Sequence, residues 1–155
     1  MRRHLEEVLA QLVAFAEKDD NIRAMVLQGS YVNENVATDD FTDLDPLFYV
    51  KDTDAFTKTE DWKKTFGKPI STFADEDEMH DHLKWYTRLT IYDDGFKIDF
   101  GFQSVKLAMY ANEMPLYRTY VDKDGIVPEP EVSDESKFYV KKPNESEFLD
   151  RMNAF

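Results

Sequence analysis

The sequence predicts an α+β fold, and three observations support that prediction. The apolar residues near the N-terminus recur at helical spacing, which indicates an amphipathic helix over residues 3–18. Short apolar runs with β-branched and aromatic members follow it, and such runs are typical of strands. Asp94 and Gly95 separate two of these runs, and Asp-Gly between strands is a strong hairpin signal. With 155 residues, the chain is expected to form one domain.

The composition is that of a globular, acidic protein. Hydrophobic residues make up 42% and aromatic residues 14% of the chain, so disorder is not expected. A domain of this size buries roughly 68–70% of its unfolded surface, which is enough for a real core. Lysine and arginine number 19 against 32 acids, a net charge of −13, which argues against a nucleic-acid-binding surface. The charge favours a cationic partner, although solubility alone is a sufficient reason for it.

The sequence gives no indication of export or membrane insertion. It contains no cysteine, which removes disulfides, thiolate metal sites and cysteine nucleophiles. Residues 1–7 are charged and lack the apolar segment of a signal peptide. No apolar run approaches the ~20 residues that span a bilayer. We therefore expect a cytoplasmic protein that does not bind membranes.

The first half of the chain predicts a helix and two strands around a turn. After the helix of residues 3–18, the short apolar run Ile22–Leu27, which includes β-branched residues, predicts a buried strand. Residues 31–37 are expected to form a short helix or an irregular turn. Residues 43–50 predict a second strand. Because Pro46 cannot donate a hydrogen bond to a sheet, it indicates an edge position, a bulge or a strand end.

The second half adds a hairpin and several short elements. The hairpin joins strands over residues 86–92 and 96–102. The other expectations are, in chain order, a short helix over 54–66, a short strand over 69–73, a solvated helix or loop over 75–81, a helix over 104–112 capped by Ser104, a strand over 117–121 and a loop over 122–136. Asn144 and Glu147 have the spacing of a capping box, which predicts a helix start there.

Five residues in this framework form a candidate phosphate and metal site. Gly29 and Ser30 follow the first strand, where glycine permits close backbone approach and serine offers a hydroxyl group. Asp43 and Asp45 stand at i and i+2 of the second strand, so their side chains share one face. Two adjacent anions repel, and a fold that places them together usually holds a cation there. Asp99 lies between apolar residues and supplies a third carboxylate if its strand lies beside theirs.

This pattern suits phosphoryl or nucleotidyl transfer at a two-metal site. Such sites use carboxylates that bridge metal ions about 3.5–4 Å apart, and Mg²⁺ takes further ligands from the substrate phosphates. Each part alone has a plainer interpretation, because Gly-Ser is usually a turn and Asp-x-Asp is common on surface loops. The order of strand, Gly-Ser, Asp-x-Asp on a second strand and a lone Asp on a later strand is the specific signal. His80 and His82, in an acidic segment, are expected to be solvated and not zinc ligands.

The sequence resembles the nucleotidyltransferase superfamily with a polymerase-beta-like core, and more closely the aminoglycoside 6-adenylyltransferases, the streptomycin-modifying type. The resemblance spans nearly the whole chain. The matching segments are Ile22-Arg23-Ala24, Gly29-Ser30, Asn33-Glu34-Asn35-Val36, Phe41-Thr42-Asp43-Leu44-Asp45, Val50-Lys51-Asp52, Trp62, Phe66-Gly67, Ile98-Asp99 and the helix start Glu147-Phe148. The resemblance implies a mixed, twisted sheet flanked by helices.

The resemblance also implies a function and roles for the candidate residues. The family transfers AMP from ATP to a hydroxyl group of an aminoglycoside such as streptomycin, an antibiotic-resistance reaction that uses Mg²⁺ and releases pyrophosphate. By this analogy, the Gly29-Ser30 pair is the nucleotide-binding element and Ser30 contacts phosphate. Asp43, Asp45 and Asp99 bind the metal and form the catalytic set, and either Asp99 or a carboxylate from the absent C-terminal domain is the candidate general base. The implied partners are ATP and a cationic aminoglycoside, which an acidic surface would attract.

Three features depart from the family pattern. Tyr31 stands where the family usually has a basic residue, and Pro46 where it usually has an aliphatic one. The family's C-terminal helical domain has no counterpart. Residues 1–143 are therefore interpreted as the nucleotidyltransferase domain, and residues 144–155 as the start of a helix that leads to the absent domain. Two alternatives stay open: a non-catalytic or truncated domain that binds a nucleotide or a protein partner, and an acidic interaction domain without a small-molecule site.

Overall fold

The computed structural model describes residues 2–130 and 142–153. Its α-helices are α1 (Leu5–Lys18), α2 (Asp54–Thr57) and α3 (Glu145–Asn153). Its strands are β1 (Ile22–Gln28), β2 (Asp45–Val50), β3 (Pro69–Glu78), β4 (Lys84–Tyr92), β5 (Lys97–Ser104) and β6 (Tyr117–Asp122). Short 3₁₀ helices lie at Ser30–Val32, Asp61–Phe66, His80–His82 and Val105–Glu113. This mixture of helices and strands is the α+β class that the sequence predicts.

One six-stranded mixed sheet organises these elements, in the order β3-β4-β5-β2-β1-β6. Strands β2 and β5 run parallel, and the other neighbouring pairs are antiparallel. The predicted hairpin joins β4 to β5, where the N–H of Tyr92 donates to the carbonyl oxygen of Phe96 at 2.9 Å. Gly95 in the turn has φ +81°, a conformation that favours glycine. Two antiparallel pairs, β4–β5 and β1–β2, therefore meet along the parallel contact at the middle of the sheet.

Successive residues of β2 alternate between two buried faces of this sheet. Phe48 and Val50 point into a core that α1 covers, and we call this side the helix-side face. Leu47 and Tyr49 point into a second core that includes residues of the 3₁₀ helix Val105–Glu113, and we call this side the site face. Because strand side chains alternate with period two, Asp45 belongs to the site face with Leu47 and Tyr49.

The helix-side core is an aromatic cluster beneath α1. Val8, Leu12 and Ala16 of that helix are fully buried, as its apolar stripe predicts. The rings that contact one another there are Phe15, Phe48, Phe56, Trp62, Phe66, Phe100 and Phe102. Since fully burying one such side chain contributes about 1.5–3 kcal/mol, this cluster anchors the sheet that carries the site.

Two predictions for the middle of the chain were wrong in part. Residues 75–78, expected in a solvated helix or loop, continue β3 because their backbone pairs with residues 84–87 of β4. The acidic side chains stay exposed on this edge strand, so the ladder forms without burying charge. The predicted helix over 54–66 is two short helices. The indole N–H of Trp62 donates to the carbonyl oxygen of Phe56 at 3.1 Å and ties the two together.

Pro46 occupies the start of a strand, which was one of its three predicted positions. It lies second in β2, opposite Leu27 of β1. The parallel ladder between β2 and β5 begins one residue later, with Leu47 opposite Gly101. An isolated parallel bridge between Leu44 and Ile98 precedes this ladder, so the missing N–H of Pro46 falls in the gap between the bridge and the ladder, where a proline is tolerated.

The ends of the remaining elements carry the predicted caps. The hydroxyl oxygen of Ser104 accepts a hydrogen bond from the N–H of Lys106 at 3.4 Å, although the helix it begins is 3₁₀ and not α. The N–H of Asn144 donates to Glu147 Oε2 at 3.1 Å, and the N–H of Glu147 donates to Asn144 Oδ1 at 2.9 Å. These two bonds are the reciprocal pair of a capping box, at the start of α3.

The predicted loop over residues 122–136 is only partly within the described residues. Residues 123–130 contain no helix or strand, as expected, and residues 131–136 lie outside the described part of the chain. In the segments that the structure describes, no helix is both long and apolar enough to cross a membrane.

Candidate active site

The parallel contact between β2 and β5 brings the predicted acidic residues together. Leu44 and Ile98 form a parallel bridge, and the N–H of Asp99 donates to the carbonyl oxygen of Leu44 at 2.9 Å. Both apolar side chains are fully buried in the helix-side core. Asp45 and Asp99 therefore lie on the opposite, site face of the sheet. Asp43, which was predicted to lie in the second strand, precedes β2, and its carboxylate meets that of Asp99 through Lys97. The third carboxylate, which the sequence placed there only if two strands were adjacent, stands beside the other two.

The backbone that leads into Asp43 is held by hydrogen bonds in the preceding turn. The N–H of Asp39 donates to the hydroxyl oxygen of Thr42 at 2.8 Å, and that hydroxyl donates to Asp39 Oδ1 at 3.1 Å. Arg2 donates from its guanidinium to the carbonyl oxygen of Thr42 at 2.8 Å. The residue before Asp43 is thus held by its own turn and by the N-terminus, which limits the positions that the Asp43 carboxylate can take.

Lys97 is the site residue that sequence reasoning missed. Its Nζ lies 2.7 Å from Asp43 Oδ2 and 2.7 Å from Asp99 Oδ2, so one ammonium group bridges two of the predicted metal ligands. The signal was available, because Lys97 and Asp99 stand at i and i+2 of one strand and share a face. A lysine at a strand end is ordinarily solvated, so the pattern alone gave no reason to assign it a role.

Burial and crowding of like charges perturb the carboxyl groups of this site. Burial, followed by the charges of Asp99 and Asp43, raises the pKa of Asp45 to about 7. Burial also raises the pKa of Asp99, although Lys97 acts in the opposite direction. Both shifts follow from placing several carboxylates together in a partly buried site with one neighbouring cation. Such perturbed groups mark candidate functional sites.

The donor set fits a divalent cation, but it is not arranged as a finished metal cage. Oδ1 of Asp99 is buried and has no hydrogen-bond partner. Carboxylate oxygens are the ligands that Mg²⁺ prefers, and an unpartnered buried oxygen is suited to that role. Among the described residues, no three Asp, Glu or His side chains form a ready coordination group. The Lys97 ammonium instead forms ion pairs with both Asp43 and Asp99.

Gly29 packs directly against the Asp45 carboxylate. Its backbone has φ +79° and ψ −161°, a region that is essentially restricted to glycine. A Cβ at this position would overlap Asp45 Oδ2 and lie 3.1 Å from Asp45 Cγ. Glycine is therefore required both by the backbone conformation and by the close approach of the carboxylate. Ser30 follows as the first residue of a single 3₁₀ turn, Ser30–Val32, which matches the predicted short helix or turn.

A cavity of about 260 Å³ lies on the site face; its lining includes Gln28, which precedes Gly29 in the chain, but none of the five predicted site residues. Among its lining side chains are Gln28, Tyr49, Trp85, Gln103 and Glu113. The buried indole Nε1 of Trp85 has no hydrogen-bond partner. The cavity combines aromatic walls with a few polar groups, a composition typical of small-molecule sites.

The two histidines of the acidic segment contact separate glutamates. His80 Nε2 lies 2.7 Å from Glu113 Oε2, and its ring stacks on Tyr110 with centroids 4.1 Å apart. His82 is 91% exposed and contacts Glu78 at 2.6 Å. Each histidine thus has a different acidic neighbour.

Comparisons with known proteins agree with the geometry. A family model described as streptomycin adenylyltransferase matches residues 1–155. The aminoglycoside 6-adenylyltransferases of Staphylococcus aureus and Campylobacter jejuni are 35% and 31% identical to the chain and cover 97% and 99% of it. A crystal structure of an aminoglycoside 6-adenyltransferase from Bacillus subtilis superposes with a TM-score of 0.64 at 26% identity, over 97% of this chain and 52% of that one. The chain spans 55% and 54% of the two sequence relatives, about half their length.

Proposed function

Because the chain belongs to the streptomycin adenylyltransferase family, we propose that it takes part in transferring AMP from ATP to a hydroxyl group of an aminoglycoside, with release of pyrophosphate. Its six-stranded mixed sheet is the nucleotidyltransferase fold that the sequence resemblance implied. Streptomycin is the acceptor that we propose to test first. The relatives are about twice as long as this chain. The activity, the substrates and the metal are therefore all proposed for it.

One observation carries the proposal. Three carboxylates from two segments paired in parallel meet next to Gly29, a position that no residue with a side chain can occupy without strain. Asp43 and Asp99 share Lys97, and Asp45 is electrostatically coupled to both of them. Gly29 lies against Asp45. A structural role alone does not account for this arrangement, because collecting partly buried acids costs stability.

The carboxylates are assigned to hold Mg²⁺ and to handle the acceptor proton. Asp43, Asp45 and Asp99 would bind the metal through their oxygens. When bound, Mg²⁺ neutralises triphosphate charge and makes the attacking hydroxyl more acidic. Asp99 is the proposed general base, since burial raises the pKa of its carboxyl group and a more basic carboxylate accepts the hydroxyl proton more readily. The acceptor oxygen then forms a bond to the α-phosphorus, and the bond from that phosphorus to the pyrophosphate oxygen breaks.

The remaining residues are assigned to position the substrates. The absence of a side chain at Gly29 keeps the backbone beside Asp45 open to a close approach by phosphate. Ser30 supplies a hydroxyl donor at the start of the following turn. The net charge of −13 creates an attractive field for a polycationic acceptor and so raises its encounter rate. Tyr31 carries no charge, so the triphosphate charge is left to the metal and to Lys97.

The test is a pair of measurements on the 155-residue chain. Isothermal titration with ATP and Mg²⁺ compares the wild type with the double variant Asp43→Ala plus Asp45→Ala. The matched control is Asp52→Ala plus Asp54→Ala, which removes two exposed acids of the same spacing at the start of α2. We expect heat from the wild type and the control and none from the site variant. Equal heats in all three proteins would overturn the metal site.

The second measurement follows pyrophosphate release with ATP, Mg²⁺ and streptomycin. Release that depends on streptomycin and is lost in the Asp43/Asp45 double variant supports the enzyme. ATP binding without any release would contradict the catalytic proposal and favour the alternative, a domain that binds a nucleotide without reacting it. Release in the absence of streptomycin would indicate hydrolysis and exclude acceptor transfer.

A further inference from the structure

The Lys97 ammonium lies between two carboxylates of the cluster. It contacts one oxygen of Asp43 and one oxygen of Asp99, each at 2.7 Å. The two carboxylate side chains are 28% and 18% exposed, so water screens these contacts only in part. Lys97 itself is the first residue of β5, and its side chain is 39% exposed. The lysine can therefore rotate out to solvent without opening the core.

We propose that Lys97 is a resident cation that holds Asp43 and Asp99 together in the metal-free chain and competes with the divalent cation for them. The inference rests on the proposed function, because it assumes that these carboxylates bind metal. Two cations cannot share the same pair of oxygens, since like charges a few ångströms apart repel strongly in a partly buried site. Metal binding consequently requires the Lys97 ammonium to leave Asp43 and Asp99. Lys97 is a positioning residue that sets the metal affinity of the cluster.

The physical chemistry of lysine suits such an exchange. Its ammonium is a compact, strongly hydrated charge on a flexible four-carbon stem, so it can move between a carboxylate and water. An arginine would form a more rigid planar contact with the same oxygens. Without either cation, the three carboxylates would repel one another and loosen the start of β2 and β5. The lysine thus keeps Asp43 and Asp99 in position in the metal-free chain, and it lowers their affinity for metal.

The experiment measures Mn²⁺ binding by the electron paramagnetic resonance signal of the free ion, with neither ATP nor aminoglycoside present. The variants are Lys97→Met, Lys97→Arg and the control Lys84→Met. Lys84 is also a strand-starting lysine in an ion pair, with Glu76, and it is 43% exposed, so its loss changes the net charge equally without touching the cluster. We expect Lys97→Met to bind Mn²⁺ about 5- to 50-fold more tightly than the wild type. Lys84→Met should match the wild type, and Lys97→Arg should bind no more tightly than it.

A second readout follows the folded state itself. In EDTA, Lys97→Met should melt at a lower temperature than the wild type and than Lys84→Met, because the cluster has lost its cation. Saturating Mn²⁺ should raise the melting temperature of Lys97→Met by more than that of the wild type. Circular dichroism confirms that each variant is folded at the temperature of the titration, and Lys97→Gln replaces Lys97→Met if the latter is not.

The outcomes separate this inference from the function on which it rests. If the wild type binds Mn²⁺ through Asp43 and Asp45 but Lys97→Met binds it equally or less tightly, competition by Lys97 is wrong and the metal site stands. If neither the wild type nor Lys97→Met binds Mn²⁺ while both are folded, the metal site is wrong and the inference falls with it. An equal gain in affinity from Lys84→Met would reduce the effect to net charge and would also overturn the inference.

Discussion

The N–H of Asp99 donates to the carbonyl oxygen of Leu44, at 2.9 Å, across the parallel contact of two strands. Leu44 is the residue between Asp43 and Asp45. This single backbone hydrogen bond, which belongs to the parallel pairing, therefore places Asp99 beside Asp43 and Asp45. Sites built on strands are held more rigidly than sites on loops, which matters for groups that must share a small ion. The positions of Asp45 and Asp99 should consequently be insensitive to changes in surface loops, whereas Asp43 precedes β2 and depends on the turn before it.

Gly29→Ala should remove nucleotide binding while leaving the chain folded. A methyl group there would overlap the Asp45 carboxylate, and the φ of +79° with ψ of −161° is strained for any residue with a side chain. We expect a loss of about 1–3 kcal/mol in the free energy of unfolding and at least a tenfold loss of affinity for ATP with Mg²⁺, since about 1.4 kcal/mol corresponds to a factor of ten. Urea unfolding and isothermal titration measure the two effects.

Gly95→Ala is the matched control, because Gly95 has nearly the same φ, +81°, but nothing lies within 4 Å of its Cβ position. Its substitution carries the backbone strain without the clash. It should cost about 1–2 kcal/mol of stability and leave ATP affinity unchanged. Equal binding losses in the two variants would mean that the effect of Gly29→Ala is general strain and not displacement of Asp45.

Asp45→Asn should stabilise the metal-free chain at neutral pH. The groups that face this carboxyl are Asp99, Asp43 and Lys97, and together with burial they raise its pKa to about 7. A carboxyl whose folded-state pKa exceeds its ordinary value of about 4 binds its proton more tightly in the folded chain, so stability falls as pH rises from about 4 to about 7. The amide avoids that ionisation. Unfolding in urea with EDTA at about pH 8 should show a gain of about 1–3 kcal/mol.

The same comparison at about pH 4.5 should show little difference between Asp45→Asn and the wild type, because Asp45 is then protonated in the folded chain. Asp61→Asn is the control, as that carboxylate is 85% exposed. It should not reproduce the pH-dependent gain. If the stability of Asp45→Asn and of the wild type changed with pH in parallel, the raised pKa of Asp45 would be contradicted. Activity should be lost in Asp45→Asn regardless of its stability.

Asp94→Asn should lower the free energy of unfolding at neutral pH, whereas Asp45→Asn should raise it. Burial raises the pKa of Asp94, but hydrogen bonds from the Arg3 side chain and from the N–H groups of Phe96 and Arg3 outweigh it and lower the pKa to about 2. A depressed pKa contributes stability that is present above about pH 4 and is lost as pH falls towards 2. The variant should lose about 1–3 kcal/mol at about pH 7 and progressively less below pH 4, in urea unfolding experiments.

Asp124→Asn provides the comparison for this ion pair. Asp124 also pairs with an arginine, Arg23, at 2.6 Å, but its side chain is 42% exposed where that of Asp94 is 15% exposed. Exposed ion pairs contribute little, so Asp124→Asn should destabilise the chain less than Asp94→Asn. A larger effect from Asp124→Asn would show that burial does not decide the contribution of these pairs.

The carboxylate cluster could be predicted because it depends on local rules. Period-two alternation puts Asp43 and Asp45 on one face, and the apolar neighbours of Asp99 indicate which way its side chain points. Adjacency of the two strands was a condition that only tertiary pairing could meet. Lys97 was not predicted, because the sequence does not reveal which of several nearby carboxylates a lysine will reach. Its bridging contact depends on the lateral register of β2 against β5.

The extent of β3 could not be predicted for a different reason. The acids from Asp75 to Glu78 have low strand propensity and no apolar alternation, so local rules favour a loop or a solvated helix. Pairing with β4 overrides that preference, because every residue from Asp75 to Glu78 lies opposite a residue of β4 while its own side chain stays in water. Edge strands can carry such charge, and doing so discourages pairing with other chains.

Phe102→Ala should destabilise the chain more than any surface change, through the helix-side core. Phe102 is fully buried and stacks on Phe56 and Phe48, with ring centroids 4.6 and 5.3 Å away. Truncation leaves a cavity between β5 and the helices that cover it, so a loss of about 3–5 kcal/mol is expected. Tryptophan fluorescence during urea unfolding reports this directly, since the ring of Trp62 lies 5.0 Å from that of Phe102.

Phe41→Ala is the control for Phe102→Ala, because Phe41 is 88% exposed in the segment that precedes Asp43. Its removal should change the free energy of unfolding by less than about 0.5 kcal/mol. The two variants separate the core from the site: Phe102→Ala lowers stability although Phe102 lies on the face opposite the carboxylates, and at low temperature its folded fraction should still bind Mn²⁺. If folded Phe102→Ala failed to bind Mn²⁺, the hydrogen bonds between β2 and β5 would be insufficient to position the carboxylates. The aromatic cluster would then be required as well.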